Sequence, residues 1–153
     1  MLERTNSLIQ DVSKISDKIA GESPSVISEY LVKIALIYFN LDIETALKDW
    51  LRKNNNLLIT KISGFNNMRD FCSFYNNNFN NPNIEKLKKI YEKFDLCWPE
   101  GLADSDVINY NNIIEARNAI NHDPYISLKV DFAEIRDAFE TAEKILGSLQ
   151  EKK

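Results

Sequence analysis

Apolar residues recur along this chain at steps of three and four, the spacing that gathers side chains on one face of an α-helix. Leu8, Val12, Ile15 and Ile19 make one such stripe and predict a first helix from about Arg4 to Ala20. Gly21 stops it, and Ser23-Pro24 opens the next, because proline suits the first helical turn. The second helix is long, from about Ser25 to Lys53. Ile27, Tyr30, Leu31, Ile34, Tyr38 and Leu41 are its expected core stripe, Leu47, Trp50 and Leu51 continue it, and Asn54-Asn55-Asn56 ends it.

A third helix, from about Asn66 to Tyr75, follows Gly64. The tract after it, with Asn76, Asn77, Asn78, Asn80, Asn81 and Asn83 around Phe79 and Pro82, reads as a loop, because Asn competes with the backbone for hydrogen bonds and favours turns. Ile84 to Phe94 is a short helix with Ile84, Leu87, Ile90, Tyr91 and Phe94 on one side, and Trp98-Pro99-Glu100-Gly101 turns the chain. Asp104 or Ser105 caps a helix that runs to about His122. Asp123-Pro124 ends it, because the residue before proline is pushed out of the helical region. Asp131-Phe132-Ala133-Glu134 has capping-box spacing and opens a last helix with Phe132, Ile135, Phe139, Ala142, Leu146 and Leu149 on its stripe. No segment alternates as a strand does, and no repeat is visible. The expected fold is all-α, one domain over residues 1–153 built as an up-and-down bundle of five to six helices.

Composition narrows the function. A chain of 153 residues buries roughly 70% of its unfolded surface, so it needs no metal or disulfide to fold. A net charge of −4 argues against coating nucleic acid through bulk charge and leaves room for a local basic cleft. Cys72 and Cys97 fit neither a disulfide framework nor zinc-ligand spacing, and are expected as buried or half-buried thiols in a reducing compartment. Met1 to Asn6 lacks the basic start and apolar core of a signal peptide, and the longest apolar run, Ile34 to Phe39, is too short to cross a bilayer. A cytoplasmic location with no membrane partner is the expectation.

The densest chemistry lies at Arg117-Asn118-Ala119-Ile120-Asn121-His122. At about 100° per residue, Arg117, Asn118, Asn121 and His122 share an arc of roughly 140° at the end of one helix. Ile113, Ala116 and Ile120 are expected to face the core, with Ile114 inside the polar arc, a mixed patch that suits a cleft or an interface. Cleavage of an RNA phosphodiester by its own 2′-hydroxyl needs a base, an acid for the leaving oxygen, and positive charge on the transition state. His122 suits the base or acid, Arg117 offers a planar fork to phosphate oxygens, and Asn118 is placed to hold either by hydrogen bonds. No metal-ligand cluster is visible, and the chemistry asks for neither metal nor cofactor. His122 is the only histidine, while this chemistry uses two proton-transfer groups. A homodimer pairing these helix ends brings two copies of Arg117, Asn118 and His122 into one cleft.

Arg117, Asn118 and His122, with four residues between Arg and His, resemble the HEPN motif, an Arg followed by four to six residues and a His, often with Asn directly after the Arg. The setting is similar too: the end of a late helix, a break containing proline, then a final amphipathic helix. Tyr38-Phe39-Asn40-Leu41-Asp42-Ile43-Glu44 on the long second helix resembles the acidic helix of the RiboL-PSP type of HEPN domain. The helix pattern extends over most of the chain, while about six residues carry the chemistry. The resemblance implies a metal-independent endoribonuclease, homodimeric, with RNA as substrate, often the toxin of a toxin–antitoxin or phage-defence system with a cognate antitoxin. HEPN toxins paired with minimal nucleotidyltransferases carry Tyr two places after the His. This chain has Pro124 there and Tyr125 one place later, so neither a tyrosine modification nor that partner is carried over.

Plainer readings stand beside these. Cationic side chains are favoured in a helix's last turn, so Arg117 and His122 also fit a simple C-terminal cap. Asn121 reads as an ordinary helix-end residue, and Glu44 either orients Arg117 across the bundle or is a solvated carboxylate. Lys86, Lys89 and Lys93 read as a solvated face, and Phe71, Phe74, Tyr75 and Phe79 mostly as core. The competing functions are an endoribonuclease, a non-catalytic HEPN-like module that binds a partner, nucleotide or RNA, and a generic helical scaffold.

Overall fold

The computed structural model describes residues 2–19, 24–54 and 64–149. Among them are six helices and no strand: α1 (Glu3–Ile19), α2 (Pro24–Lys53), α3 (Met68–Asn78), α4 (Ile84–Lys93), α5 (Asp104–His122) and α6 (Phe132–Ser148). The protein is an all-α bundle. The side chains of Val12, Ile15, Ile19 and Ile27, together with Ala20, Gly21, Ser23, Asn55 and Asn56, lie outside what is described.

The caps explain most boundaries. The Asn67 side chain accepts from Asp70 N–H at 2.9 Å and starts α3, and the Asn83 side chain accepts from Lys86 N–H at 3.0 Å and starts α4. At α6 the expected capping box is present: Asp131 Oδ1 accepts from Glu134 N–H, and Glu134 Oε2 accepts from Asp131 N–H, each at 2.9 Å. At α5 the cap is Ala103, not Asp104 or Ser105, and the Asp106 carboxylate reaches back to Ala103 N–H at 3.3 Å. Three asparagines assigned by sequence to a loop, Asn76, Asn77 and Asn78, belong to α3. Tertiary burial overrides their turn preference: Asn78 is buried, its amide donates to Phe74 O at 2.7 Å, and Phe79 just beyond is sealed in the core.

Helix α2 packs on α1, α5 and α6, α5 packs along α6, and α3 and α4 form a smaller pair attached to α5 through α4. Phe39 meets Tyr110 edge-on at 5.9 Å, and Trp50 meets Phe94 at 5.3 Å. Buried polar groups have partners that tie elements together. Trp50 Nε1–H donates to Leu149 O at 2.9 Å, Tyr110 O–H to Pro82 O at 2.8 Å, and Tyr91 O–H to Ile145 O. Buried Asp42 accepts from the backbone N–H and the hydroxyl of Thr5 at 2.8 and 2.9 Å, which fastens the first turn of α1 to α2.

Helix α2 departs from the sequence reading. Its core face is Val32, Ala35, Leu36, Phe39, Ile43, Ala46, Leu47, Trp50 and Leu51. The expected stripe is buried only in its second part, at Leu47, Trp50 and Leu51; before it Leu31 and Ile34 are half-buried, and Tyr30, Tyr38 and Leu41 are exposed, as is Ile37. Six consecutive apolar residues, Ile34 to Phe39, give the helix no single apolar face, so packing partners choose between two. Smaller differences concern thiols and lysines. Cys97 is half-buried but Cys72 is exposed, and both are free. Lys89 is solvated beside Glu85, whereas Lys86 is tied to Asn80 O at 2.9 Å and Lys93 lies over the Phe65 ring at 3.9 Å.

Candidate functional site

The C-terminal half of α5 puts Arg117 on the buried side of the helix. Tyr110, Ile113, Ile114 and Ile120 are all core residues, and at about 100° per residue Arg117 falls in the middle of their arc. Ile114, expected in a mixed patch lining a cleft or an interface, is only 1% accessible and belongs to the core. The reason is positional: Ile114 lies eight residues, about two turns, back from the helix end, where α5 is still packed against its neighbours, whereas Asn121 and His122 at the tip are exposed. Ala116, expected to face the core, is half-buried.

A guanidinium on a buried face must find acceptors. Arg117 Nη1 donates to Asn81 Oδ1 through a short hydrogen bond and to Asn118 Oδ1 at 3.5 Å. Asn81 is held in the left-handed region, φ +47°, which Asn tolerates better than most residues. Its backbone N–H donates to Glu44 Oε1 at 2.9 Å. The same oxygen accepts from Asn40 Nδ2 at 2.8 Å, and Glu44 Oε2 pairs with Lys48 Nζ at 3.4 Å. Lys48 also reaches Asn80 Oδ1 at 3.4 Å. A polar seam therefore runs from α2 through the loop before α4 to α5, and Glu44 and Arg117 are joined through Asn81. Two buried atoms in it, Arg117 Nε and Asn40 Oδ1, lack a protein hydrogen-bond partner.

Asn121 and His122 are exposed at the tip of α5, and among the described residues no side chain hydrogen-bonds the His122 ring. Asp123 N–H closes the helix on Ala119 O at 2.9 Å, and Asp123 Oδ1 accepts from Tyr125 N–H at 2.9 Å in a tight turn. Pro124 O accepts from Lys33 Nζ at 3.0 Å, so the chain just past His122 is pinned to α2. Tyr125 is 94% exposed.

The structure thus brings Glu44, Arg117 and Asn118 into one network and leaves Asn121 and His122 outside it. Asn40 and Asn81 belong to that network and escaped the sequence reading. The local signals were slight: Asn40 stands one helical turn before Glu44, and Asn81 precedes a proline in a tract whose composition spoke only of loop. Among the described residues no group of three or more His, Cys, Asp or Glu is placed to hold a metal. A depression of about 540 Å³ lined by Glu29, Val32, Ser127, Leu128, Val130, Asp131, Phe132 and Ala133 includes none of the candidate residues.

Comparison of the chain with family models, with curated proteins and with solved structures finds no match to any of them. No helix among the described residues is long and apolar enough to cross a membrane. The geometry offers one oriented guanidinium on a carboxylate–amide support, with one imidazole free at the surface five residues further on. The first suits an anion; the second suits proton transfer with a group brought from outside.

Proposed function

We propose that this protein is a metal-independent endoribonuclease of HEPN type that works as a homodimer, with Arg117, Asn118 and His122 of both copies forming one cleft. The observation that carries this reading is the support of Arg117. A guanidinium braced by Asn81, itself held by Glu44, is preorganised in the way that stabilisation of a charged transition state requires. In the proposed step the 2′-oxygen of RNA attacks the adjacent phosphorus and its proton passes to one His122. The bond from phosphorus to the 5′-oxygen breaks, and the His122 of the other copy protonates the leaving oxygen. The products are a 2′,3′-cyclic phosphate and a 5′-hydroxyl end. Arg117 and Asn118 hold the non-bridging oxygens. The biological setting we propose is that of a toxin or defence component in the cytoplasm, with a cognate antitoxin as partner.

A second reading has its own support. Arg117 Nη1 is already committed to Asn81, and His122 lies outside that network, which favours a non-catalytic HEPN-like module that binds a partner, nucleotide or RNA. Cleavage of single-stranded RNA in excess EDTA separates the two. Wild type is expected to cut RNA and leave DNA intact, since DNA lacks the attacking hydroxyl. His122→Ala and Arg117→Ala are expected to lose about 10²–10³ in rate, the usual cost of one preorganised transition-state group. Because Arg117 lies on the buried side of α5, its variant needs a matched melting curve. Activity that disappears with EDTA, or that survives in His122→Ala, overturns the nuclease reading.

A further inference from the structure

Helix α2 carries a second apolar face that the fold leaves uncovered. Tyr30 is 69% exposed, Ile37 40%, Tyr38 38% and Leu41 42%, and half-buried Ile34 lies among them. At about 100° per residue these five share an arc of roughly 100°, diametrically opposite the core face centred on Leu36 and Phe39. Together they expose on the order of 400 Å² of side chain per copy, as large as the apolar patches that single-chain proteins keep for a function. Two such patches supply the apolar centre of an interface of standard size, about 1,600 Å².

We infer that this stripe is the seat of a second copy of the same chain, with the two α2 helices packed antiparallel. This rests on the homodimeric reading above and says which face makes the dimer. The first reason is the spacing. Tyr30, Ile34, Ile37 and Leu41 step by four, three and four, the seam along which two helices interlock side by side. That series is the same read in either direction. In an antiparallel pair Tyr30 meets Leu41 of the second copy and Ile34 meets Ile37, so one face satisfies itself, as a two-fold contact requires.

The second reason is charge. The stripe itself is uncharged, and the groups flanking it are already neutralised within each copy: Lys33 by Glu29 at 3.2 Å, and Lys48 by Glu44 at 3.4 Å. Antiparallel pairing therefore brings no unpaired like charges together. The third reason is continuity with the candidate site. Lys33, beside the stripe, holds Pro124 two residues past His122, and Glu44, one turn beyond Leu41 on the same flank, holds Asn81 and through it Arg117. A two-fold axis lying in the interface across two antiparallel helices keeps that flank on the same side in both copies. Both His122 rings then border one cleft, which supplies the second proton-transfer group a single chain lacks. A parallel pair sends them to opposite sides.

The test is sedimentation of the full chain at micromolar concentration, read together with RNA cleavage. Wild type is expected to run as a dimer. Ile37→Glu and Leu41→Glu are expected to run as folded monomers, associating at least 100-fold more weakly and cutting no RNA, with circular dichroism confirming the helices. Ile108→Glu, at an exposed apolar residue of α5 away from the stripe, is expected to stay dimeric. In a background with Cys72→Ser and Cys97→Ser, the pair Tyr30→Cys and Leu41→Cys is expected to cross-link two chains on oxidation, while Tyr30→Cys alone is not. A monomeric wild type, or wild-type association in Ile37→Glu and Leu41→Glu, overturns the interface. Cross-linking through Tyr30→Cys alone overturns the antiparallel register. A dimer that cuts no RNA keeps the interface and removes the nuclease; a monomer that cuts RNA does the reverse.

Discussion

Helices α2 and α6 are both rich in apolar residues, yet they dispose of them differently. In α6, Ile135, Ala138, Ala142, Ile145 and Leu146 are buried, while Arg136, Asp137, Glu140, Glu143 and Lys144 point to water. One stripe meets one core. In α2, apolar residues stand on both sides: Leu36, Phe39 and Leu47 are sealed, and Tyr30, Ile37, Tyr38 and Leu41 are left exposed. A helix with one apolar face is satisfied by its own fold. A helix with two has surface left over, and in this protein that surplus runs beside Lys33 and Glu44, which hold Pro124 and Asn81.

The sharpest way to break this comparison is to truncate two buried residues and one exposed residue of similar size. Ile145→Ala in α6 and Leu47→Ala on the inner face of α2 are each expected to cost about 2–5 kcal/mol, the transfer term plus the cavity left behind. Leu41→Ala, measured in chemical denaturation at a concentration low enough to keep the chain monomeric, is expected to stay within about 0.5 kcal/mol of wild type. A loss at Leu41 equal to that at Leu47 contradicts the two-faced description of α2.

The next effect concerns the joint between the two helices. Trp50 Nε1 of α2 donates to Leu149 O just past α6, and both residues are buried. Trp50→Phe removes the donor, strands a carbonyl and trims the packing on Phe94, for an expected cost of about 1–3 kcal/mol. A neutral result means that the end of α6 is not anchored through this bond.

A smaller loss, about 1 kcal/mol, is expected for Asp131→Ala, which removes the side-chain cap at the start of α6. Thermal melts of Asp131→Ala and Asp131→Asn settle it, since Asn retains a capping oxygen and is expected to recover most of the loss.

The finest test uses alkaline pH. Burial pushes the Tyr110 phenol well above its ordinary range, and its O–H donates to Pro82 O across the seam beside Arg117. In the unfolded chain the phenol ionises near about pH 10, whereas the buried one keeps its proton. A raised folded value means that stability is fully present below about pH 10 and is lost as pH rises beyond it. Melting temperatures between pH 8 and 11 are expected to fall more steeply for wild type than for Tyr110→Phe above pH 10. Parallel curves refute the assignment.

Local periodicity and capping chemistry by themselves determined that this protein is a helical bundle, and placed most helix ends within a few residues. Both depend on neighbours in sequence: the three-residue reach of Asp131 to Glu134, or the three-four spacing of Ile135 to Leu146. The chain also marked Arg117, Asn118 and His122 as residues with chemistry to offer, because they combine hydrogen-bond donors and a titratable group at a helix end, and it left Glu44, inside α2, open between a partner of Arg117 and a solvated carboxylate. Only the tertiary structure decided which face of α2 is buried, since six apolar residues in a row point every way around the helix and the choice falls to α1, α5 and α6. Only it showed that Arg117 lies on the inner side of α5, and that Asn81, thirty-six residues away, takes its guanidinium while Glu44 holds Asn81 in turn. Such bonds join residues far apart in the chain, and the energy that selects them comes from burying a charged group that must then find its acceptors, a demand no local pattern expresses.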